Sequence, residues 1–367
     1  MNRRGFLAGA AALAPAAAFA AGLRPGIAGD GGADAGTLRT AAAARGLVYG
    51  AATSTDQLRD DDFARALVRE AAMIVPEYEM KRGVVEAVRG RRDFSRPDAL
   101  AAFAAAHGLA LRGHPLIWHK RNPDWIGGAL EEADLTGFVS EMVGRYRGRV
   151  HSWDVVNEAI DPSAPGHLRR TAWLANFGPS YIDRAFHAAR QADPAALLVY
   201  NDWGCELGAP DNDRFRAATL DFLEGLLKRG APVDAYGMQG HLGLQGAQVD
   251  QAKLRAFADA VRAMGLRILV TEHDVDDDGG PADIAARDRM VADASRRFLD
   301  VMLDSRGTIA VLTWGLTDRY LDAPGWKQRL EGWTPRRLPL DAALARKPMW
   351  RQMRAALAAS PAARRGG

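Results

Sequence analysis

Two glutamates stand at points where apolar segments of the sequence end, and together they could break a glycosidic bond. Glu158 follows Asn157 at the end of one apolar segment, and Glu272 ends another, two residues before Asp274. A pair of carboxyl groups can act as a general acid and a nucleophile, or as a general acid and a general base. Carboxyl groups about 5–5.5 Å apart would retain the configuration of the sugar, whereas about 6.5–9.5 Å would leave room for water and invert it. The sequence leaves this separation open.

The neighbours of the two glutamates indicate different roles. We expect Glu272 to lie near His241 as well as Asp274, and hydrogen bonds to its charged form would keep its pKa low, as a nucleophile needs. The apolar residues before Glu158 favour its neutral form, as a general acid needs. Asn157 could hold the 2-hydroxyl of the sugar in the transition state.

Eight short apolar segments that must position these residues are predicted to be strands, at 47–50, 73–76, 109–112, 152–156, 197–200, 235–238, 268–271 and 309–314. Segments with helical periodicity lie between them, at 61–72, 98–107, 178–191, 211–229, 251–264 and 287–304. Continuously apolar strands are typical of a parallel sheet that is buried on both faces. The sequence therefore predicts a single-domain α/β fold, a (β/α)8 TIM barrel, with a doubly wound open sheet as the alternative. No G-x-G-x-x-G follows the first strand and no Walker-type loop is present, which disfavours a nucleotide-binding protein.

Polar and aromatic residues follow most of the predicted strands. The active site of a TIM barrel is assembled at the carboxyl ends of its strands, so we expect these side chains to line one cleft. They are Glu77, Tyr78 and Lys81; His114 and Trp118; Asn201 and Trp203; Gln239 and His241; and Trp314. So many polar groups at one rim would cost stability unless a ligand or a network satisfied them. The indole rings match the apolar faces of pyranose sugars.

The composition argues against several other classes of protein. The 48 Lys and Arg residues are scattered among 45 Asp and Glu residues, with a net charge of +3 and none of the basic blocks that bind nucleic acid. His114, His119 and His241 lack the spacing of a metal-binding motif, so we expect neither a metal nor another cofactor. A single cysteine, Cys205, rules out an intrachain disulfide. We expect a monomer whose partner is a β-linked polysaccharide or oligosaccharide.

The amino terminus has the features of a twin-arginine export signal. Arg3 and Arg4 precede a short apolar stretch that ends in an A-x-A site at 18–20. We therefore expect residues 1–20 to be a signal peptide, with a periplasmic or secreted product that keeps no lasting membrane association; an unprocessed Ala-rich tail is the alternative. The expected organisation continues with a flexible spacer at 21–44, the catalytic barrel at 45–357 and a disordered tail at 358–367.

Six segments in this order resemble glycoside hydrolase family 10, the endo-β-1,4-xylanases. They are GHPLIWH at 113–119, WDVVNEA at 153–159, YND at 200–202, GMQGHL at 237–242, TEHDV at 271–275 and TWG at 313–315. The resemblance implies a TIM barrel and retaining hydrolysis of xylan, with Glu158 as acid/base and Glu272 as nucleophile. It implies supporting and subsite roles for His241, Asp274, Asn157, Gln239, His114, Trp118 and Trp314, while Glu77 and Lys81 match the family's strand-two motif.

Several positions depart from the pattern that the resemblance implies. Tyr78 stands where the family has an Asn that reads the sugar, Trp203 replaces a Tyr, and His273 replaces a Leu beside the nucleophile. Lys120 and Arg121 replace a Ser-Gln pair. We hypothesise that Arg82, Lys120 and Arg121 form a cationic wall that favours xylan bearing uronic acids. A glycosidase of the same mechanism acting on another β-glucan, and a catalytically weak carbohydrate-binding protein, are the alternatives.

Overall fold

The computed structural model describes residues 36–321 and 333–361. The expected signal peptide at 1–20, most of the expected spacer and the last residues of the expected tail lie outside this described part.

Eight parallel strands form a closed barrel, which confirms the predicted TIM-barrel fold. They are β1 (Val48–Thr53), β2 (Met73–Pro76), β3 (Ala110–Gly113), β4 (Val150–Asn157), β5 (Leu197–Asp202), β6 (Ala235–Met238), β7 (Arg267–Asp276) and β8 (Thr308–Thr313). Each strand pairs with the next, and β8 pairs with β1 in the register Val48 to Ala310, which closes the sheet. A three-residue strand, His241–Gly243, pairs with the end of β7 and places His241 opposite Asp274.

Helices surround the barrel between successive strands. They are α1 (Leu38–Ala43), α2 (Asp61–Glu70), α3 (Arg82–Val85), α4 (Ser95–Ala106), α5 (Phe138–Arg145), α6 (Ala172–Phe177), α7 (Tyr181–Ala192), α8 (Pro210–Lys228), α9 (Gln251–Ala263), α10 (Ile284–Asp304) and α11 (Pro348–Ala359). Local sequence explains the start of two of them: Asp60 accepts the free N–H groups of Asp62 and Phe63 at the beginning of α2, and Asp250 caps α9 in the same way.

The core has two layers, as expected of a barrel inside a ring of helices. A small cluster drawn from strands alone fills the barrel interior: Ala52, Met73, Val75, Val199, Ala235, Leu269, Ala310 and Leu312. A much larger cluster lies between the strands and the helices. Because successive strand residues point to opposite faces, each strand supplies both layers, and the residues at its carboxyl end alternate between the cleft and the helix layer.

The observed helices extend beyond two of the expected boundaries. Helix α1 lies inside the expected spacer 21–44, and its Leu38 and Ala42 are fully buried, so the folded barrel begins before residue 45. The Leu38 N–H donates to the buried carboxylate of Glu70, which ties this helix to α2. At the other end α11 continues through Ala359 and Ser360 is buried, so order extends past residue 357. Helices α1, α3, α5, α6 and α11 lie outside the predicted helical segments.

Within residues 36–321 and 333–361, no helix combines the length and the apolar character that a membrane crossing requires.

Candidate active site

Glu272 lies at the carboxyl end of β7, surrounded by hydrogen-bond donors. Its Oε1 accepts a hydrogen bond of 2.8 Å from Asn201 Nδ2, and its Oε2 lies 3.3 Å from His241 Nε2. Burial alone would raise the pKa of Glu272, but the hydrogen bond and charge of His241, with the hydrogen bond from Asn201, lower this pKa from 4.5 to about 2. The carboxylate is therefore ionised at neutral pH, the state in which it could attack carbon.

His241 carries the positive charge beside Glu272. Its Nδ1 lies 2.7 Å from Asp274 Oδ1, on the same edge of the barrel. Burial would lower the pKa of His241, but the charge of Asp274 and the hydrogen bonds to Asp274 and Glu272 raise it well above its usual value. The three side chains form a carboxylate–imidazolium–carboxylate chain. The sequence predicts that Glu272 lies near His241 and Asp274, but it does not predict this chain.

Glu158 lies at the end of β4 in a different environment. Its Oε1 accepts a hydrogen bond of 3.2 Å from Gln239 Nε2, while Lys120 Nζ and His119 Nε2 lie 3.4 and 3.9 Å from its Oε2. Its backbone adopts the left-handed conformation, with φ of 55°, which is uncommon for a residue other than glycine. Such conformations cluster at functional sites, and here the Arg169 guanidinium stabilises it by donating to the Glu158 carbonyl at 2.9 Å.

Asn201 connects the two glutamates. Its backbone carbonyl accepts the Glu158 N–H at 2.9 Å, and its side-chain amide donates to Glu272 at 2.8 Å. Thr271 Oγ1 donates to Asn201 Oδ1 at 2.7 Å, which fixes the orientation of the amide. The side-chain amide of Asn157 lies 2.8 Å from that of Asn201, so these groups form one buried network.

His114 approaches Glu272 from β3. Its Nδ1 lies 2.8 Å from Asp154 Oδ2 and 3.9 Å from Glu272 Oε1. Arg112 forms a bidentate ion pair with the same Asp154, deep in the barrel. Trp314 packs edge-on against His114, with ring centroids 5.2 Å apart. The carboxyl ends of β3, β7 and β8 therefore meet beside Glu272.

This arrangement suits hydrolysis of a bond to an anomeric carbon, and comparison with known proteins agrees. The family model described as "Glycosyl hydrolase family 10" matches residues 37–356. The chain belongs to glycosyl hydrolase family 10.

Relatives and solved structures in family 10 cover most of the chain. Endo-1,4-beta-xylanase B of Thermotoga neapolitana is 32% identical over 268 residues, which are 70% of this chain and 73% of that protein. Endo-1,4-beta-xylanase B of Paenibacillus barcinonensis is 30% identical over 299 residues, 77% of this chain and 87% of that protein. The crystal structure of xylanase 10B from Thermotoga petrophila RKU-1 in complex with xylobiose has a TM-score of 0.79 at 28% identity, and the match covers 89% of this chain and 98% of that chain.

In this family 10 chain a buried lysine lies among aromatic rings next to the glutamates. Lys81 Nζ lies 5.2 Å from the Trp118 ring, 5.6 Å from the Trp314 ring and 5.1 Å from the Tyr78 ring. Burial lowers the pKa of Lys81 to about 8, although the charges of Glu272 and Glu77 oppose the shift. The ammonium group is thus charged at neutral pH but close to its titration point.

Glu77 lies in the loop after β2, against the loop that follows β1. It is buried, and its Oε1 accepts a hydrogen bond of 3.1 Å from Gln57 Nε2. Burial raises the pKa of Glu77 to about 7, against the opposing effects of the Gln57 hydrogen bond and the Lys81 charge. Near neutral pH this carboxyl group can therefore both donate and accept hydrogen bonds to sugar hydroxyls.

Trp203 is the most exposed aromatic residue of the predicted site. Its side chain is 43% exposed and stacks obliquely on Phe215, with ring centroids 5.6 Å apart. The next residue, Gly204, has a φ of 98°, and a Cβ there would meet the Phe215 ring at 2.8 Å, so glycine is required at this turn. Asp202 accepts the Trp203 N–H at 2.9 Å and anchors the loop.

Two residues assigned to substrate selectivity lie elsewhere. Arg82 is buried behind the cleft, where it pairs with Glu86 at 2.9 Å and covers the Phe138 ring at 3.8 Å, so it is not part of a cationic wall. His273 points away from the cleft because it alternates with Glu272 along β7. Its ring lies 2.8 Å from the Gly240 carbonyl and from Ser295 Oγ, in the layer between strand and helix.

Sequence reasoning missed several groups that support the site. Thr271 and Gln57 orient other side chains, and the Arg112–Asp154 pair holds His114. The position of Thr271 directly before Glu272 could have identified it as a supporting residue. Gln57 lies in a loop without a motif, so its sequence context offers no comparable indication.

A metal site has weak support in the described residues. One group of carboxylates there could share an ion, namely Asp276, Asp277 and Asp278 at the end of β7. Arg337 already pairs with Asp276, and Arg287 lies 3.0 Å from Asp277.

Proposed function

We propose that this chain is a retaining endo-1,4-β-xylanase that cleaves β-1,4-linked xylan or xylo-oligosaccharides by double displacement. The observation that carries the proposal is the asymmetry between two carboxyl groups joined through Asn201. Glu272 is held ionised by the His241 imidazolium, whereas Glu158 accepts a hydrogen bond from the neutral Gln239 amide and has as its nearest cation Lys120, an exposed side chain at the rim. One group is thus equipped as a nucleophile and the other as an acid/base.

In the first step, the Glu272 carboxylate attacks the anomeric carbon while the Glu158 carboxyl donates its proton to the glycosidic oxygen. The bond from the anomeric carbon to the leaving group breaks, a glycosyl ester to Glu272 forms, and the leaving sugar departs with the proton. In the second step, Glu158 removes a proton from water, whose oxygen attacks the same carbon and releases Glu272. Two inversions at one carbon retain its configuration.

The other groups position the sugar. Asn157 lies beside Glu158 and Asn201 and can donate to the sugar 2-hydroxyl, where hydrogen bonds strengthen in the transition state. Trp118 and Trp314 offer apolar ring faces, and Lys81 and Glu77 offer hydrogen-bonding groups to further hydroxyls. The xylanase relatives, one of them solved with xylobiose, support xylan as the substrate.

The decisive experiment measures reducing-sugar release from a panel of xylans and β-glucans by the mature protein, with Glu272→Gln and Glu158→Gln as matched isosteric variants. We expect preferential release from xylan and a loss of at least about 1,000-fold in each variant. Proton NMR of a xylo-oligosaccharide digest should show the β-anomer first. A preference for glucan, an α-anomer as first product, or near-normal activity of Glu272→Gln would each contradict the proposal.

We further propose that the chain is exported by the twin-arginine route and works as a monomer in the periplasm or outside the cell. The support is the Arg3–Arg4 pair followed by a short apolar stretch. This route carries folded proteins, which suits a chain that has a single cysteine and so needs no disulfide formation after export.

A further inference from the structure

Two consecutive cationic side chains lie at the rim of the cleft, on the turn that follows Trp118. Lys120 and Arg121 are both exposed. Lys120 has one ionic partner in the described part of the chain, the Glu158 carboxylate at 3.4 Å. The guanidinium of Arg121 has no hydrogen bond or ion pair to any residue within 36–321 and 333–361. Neither side chain is needed to neutralise a structural carboxylate there, in contrast to the buried Arg82.

The turn is held in place by its backbone. Arg121 adopts the left-handed conformation, with φ of 55°, and its carbonyl accepts the Gly83 N–H at 2.9 Å. A Cβ at Gly83 would lie 2.7 Å from that carbonyl, so the two loops approach as closely as glycine permits. Asn122 Nδ2 also donates to the Trp118 carbonyl at 2.8 Å. A strained residue fixed on both sides presents its side chain from a defined position.

Arg121 lies on the side of the cleft occupied by Tyr78. Its carbonyl accepts the N–H of Gly83, two residues after Lys81, so the residue lies beside the segment that carries Tyr78 and Lys81. Lys120 Nζ lies 5.5 Å from the Trp118 ring and next to Glu158. The two cations therefore border the cleft, Lys120 beside Glu158 and Arg121 beside the segment of Tyr78 and Lys81.

We propose that Lys120 and Arg121 bind the carboxylate of an acidic side group, so that the preferred substrate is xylan decorated with uronic acid. The inference rests on the proposed xylanase function and adds a charge preference to it. A planar guanidinium without a protein partner can bind a carboxylate through two parallel hydrogen bonds, and the ammonium adds a second charge. Undecorated xylan has no carboxylate for Arg121 to bind, and Lys120 then keeps its contact with Glu158.

The test compares three substrates that differ only in the side group: glucuronoxylan oligosaccharides, the same oligosaccharides with the uronic carboxyl reduced to an alcohol, and undecorated oligosaccharides of equal length. The measured quantity is the ratio of kcat/KM for the acidic to the reduced substrate. We expect this ratio to exceed one in the wild type and to fall as NaCl rises from 50 to 500 mM, because salt screens exposed charges.

Arg121→Gln should lower this ratio by about fivefold, which corresponds to about 1 kcal/mol for an exposed ion pair. Arg121→Lys should retain part of the ratio, since it keeps the charge but loses the second hydrogen bond. Lys120→Gln should lower it too. Arg147→Gln is the matched control, because Arg147 is an exposed arginine before β4, at the opposite end of the barrel.

The outcomes separate the inference from the function on which it rests. If the wild type cuts undecorated xylan but its ratio is near one and does not change in Arg121→Gln, the uronic-acid inference is wrong and the xylanase function stands. If none of the three substrates is cut, the proposed function itself fails. An equal fall in Arg147→Gln would show a general effect of protein charge and would also overturn the inference.

Discussion

The Nδ1 atom of His241 lies 2.7 Å from Oδ1 of Asp274, and this contact keeps a positive charge beside Glu272. Asp274 makes no direct hydrogen bond to Glu272 in the described structure. It acts on Glu272 through the imidazole, by raising the pKa of His241 and so preserving a charged donor to the carboxylate. Asp274 is thus a positioning residue whose loss should be visible in a pH profile.

Asp274→Asn should move the acidic limb of kcat/KM to higher pH. Glu272 must be ionised to attack, and its pKa of about 2 depends on protonated His241. Without the Asp274 charge, His241 loses its proton more easily and the pKa of Glu272 rises towards 4.5, so activity is lost earlier on acidification. The measurement is kcat/KM between pH 3 and 7, with exposed Asp293→Asn as the control. An unchanged acidic limb would contradict this mechanism.

Thr271→Val should lower kcat by about fivefold with little change in KM. The Thr271 hydroxyl fixes the Asn201 amide that donates to Glu272, and one such hydrogen bond contributes on the order of 1 kcal/mol. Thr271→Ser keeps the hydroxyl and should remain close to wild type. Equal kinetics in the Val and Ser variants would show that the amide needs no such support.

Loss of the Lys81 charge should weaken substrate binding at alkaline pH. Its pKa is lowered to about 8, so the ammonium charge is present below pH 8 and is lost above it. We expect the wild-type KM for a xylo-oligosaccharide to rise between pH 7 and 9, and the KM of Lys81→Met to be high and flat across that range. The same alkaline rise in Lys81→Met would assign it to another group.

Ionisation of the buried Asp202 carboxyl group should make the fold less stable as the pH rises. Burial raises its pKa from 3.8 to about 7, although hydrogen bonds from Tyr200 and the Trp203 N–H oppose the shift. The raised pKa stabilises the folded state fully below pH 3.8, and this contribution is lost as the pH rises through 7.

We therefore compare the free energy of unfolding of the wild type with that of Asp202→Asn. The wild-type value minus the variant value should fall by roughly 2–4 kcal/mol between pH 4 and pH 7.5. Urea denaturation at both pH values measures it, and Asp221→Asn, on the exposed side of α8, is the control. A constant difference between wild type and Asp202→Asn would show that Asp202 does not change its proton affinity on folding.

Replacing Arg3 and Arg4 with lysine should retain the full-length chain in the cytoplasm, because the twin-arginine pair addresses the export route. Cell fractionation with activity measurement detects this, and Arg24→Lys is the control. Normal export of the twin-lysine variant would refute the assigned route.

The strands were predictable because buried parallel strands are continuous apolar runs, and all eight predicted segments overlap an observed strand. Helix α5 was not predicted because it has only eight residues and continues directly from a π-helical segment at Ala133–Gly137. That segment interrupts the 3.6-residue spacing of apolar side chains. Helix α1 escaped because its six residues include three alanines, whose burial depends on tertiary packing and not on pattern.

Side-chain direction was the harder part of the site. His273 could have been assigned correctly, since alternate residues of a strand face opposite sides and both Glu272 and Asp274 face the cleft. Arg82 carried a weaker signal, its i, i+4 relation to Glu86. The contact between Lys120 and Glu158 could not be predicted, because it depends on the course of the turn after Trp118.

Asn201 couples the positions of the two glutamates. One residue holds Glu158 through its main chain and Glu272 through its side chain, so a displacement of Asn201 would shift the supports of both glutamates together. The spacing of the two glutamates thus depends on a residue of β5, a core strand, more than on the surface loops around the cleft. Mutations that reshape the rim near Trp203 or Arg121 can thus accumulate during evolution, altering which sugar chains enter, while the bond-breaking distance is preserved.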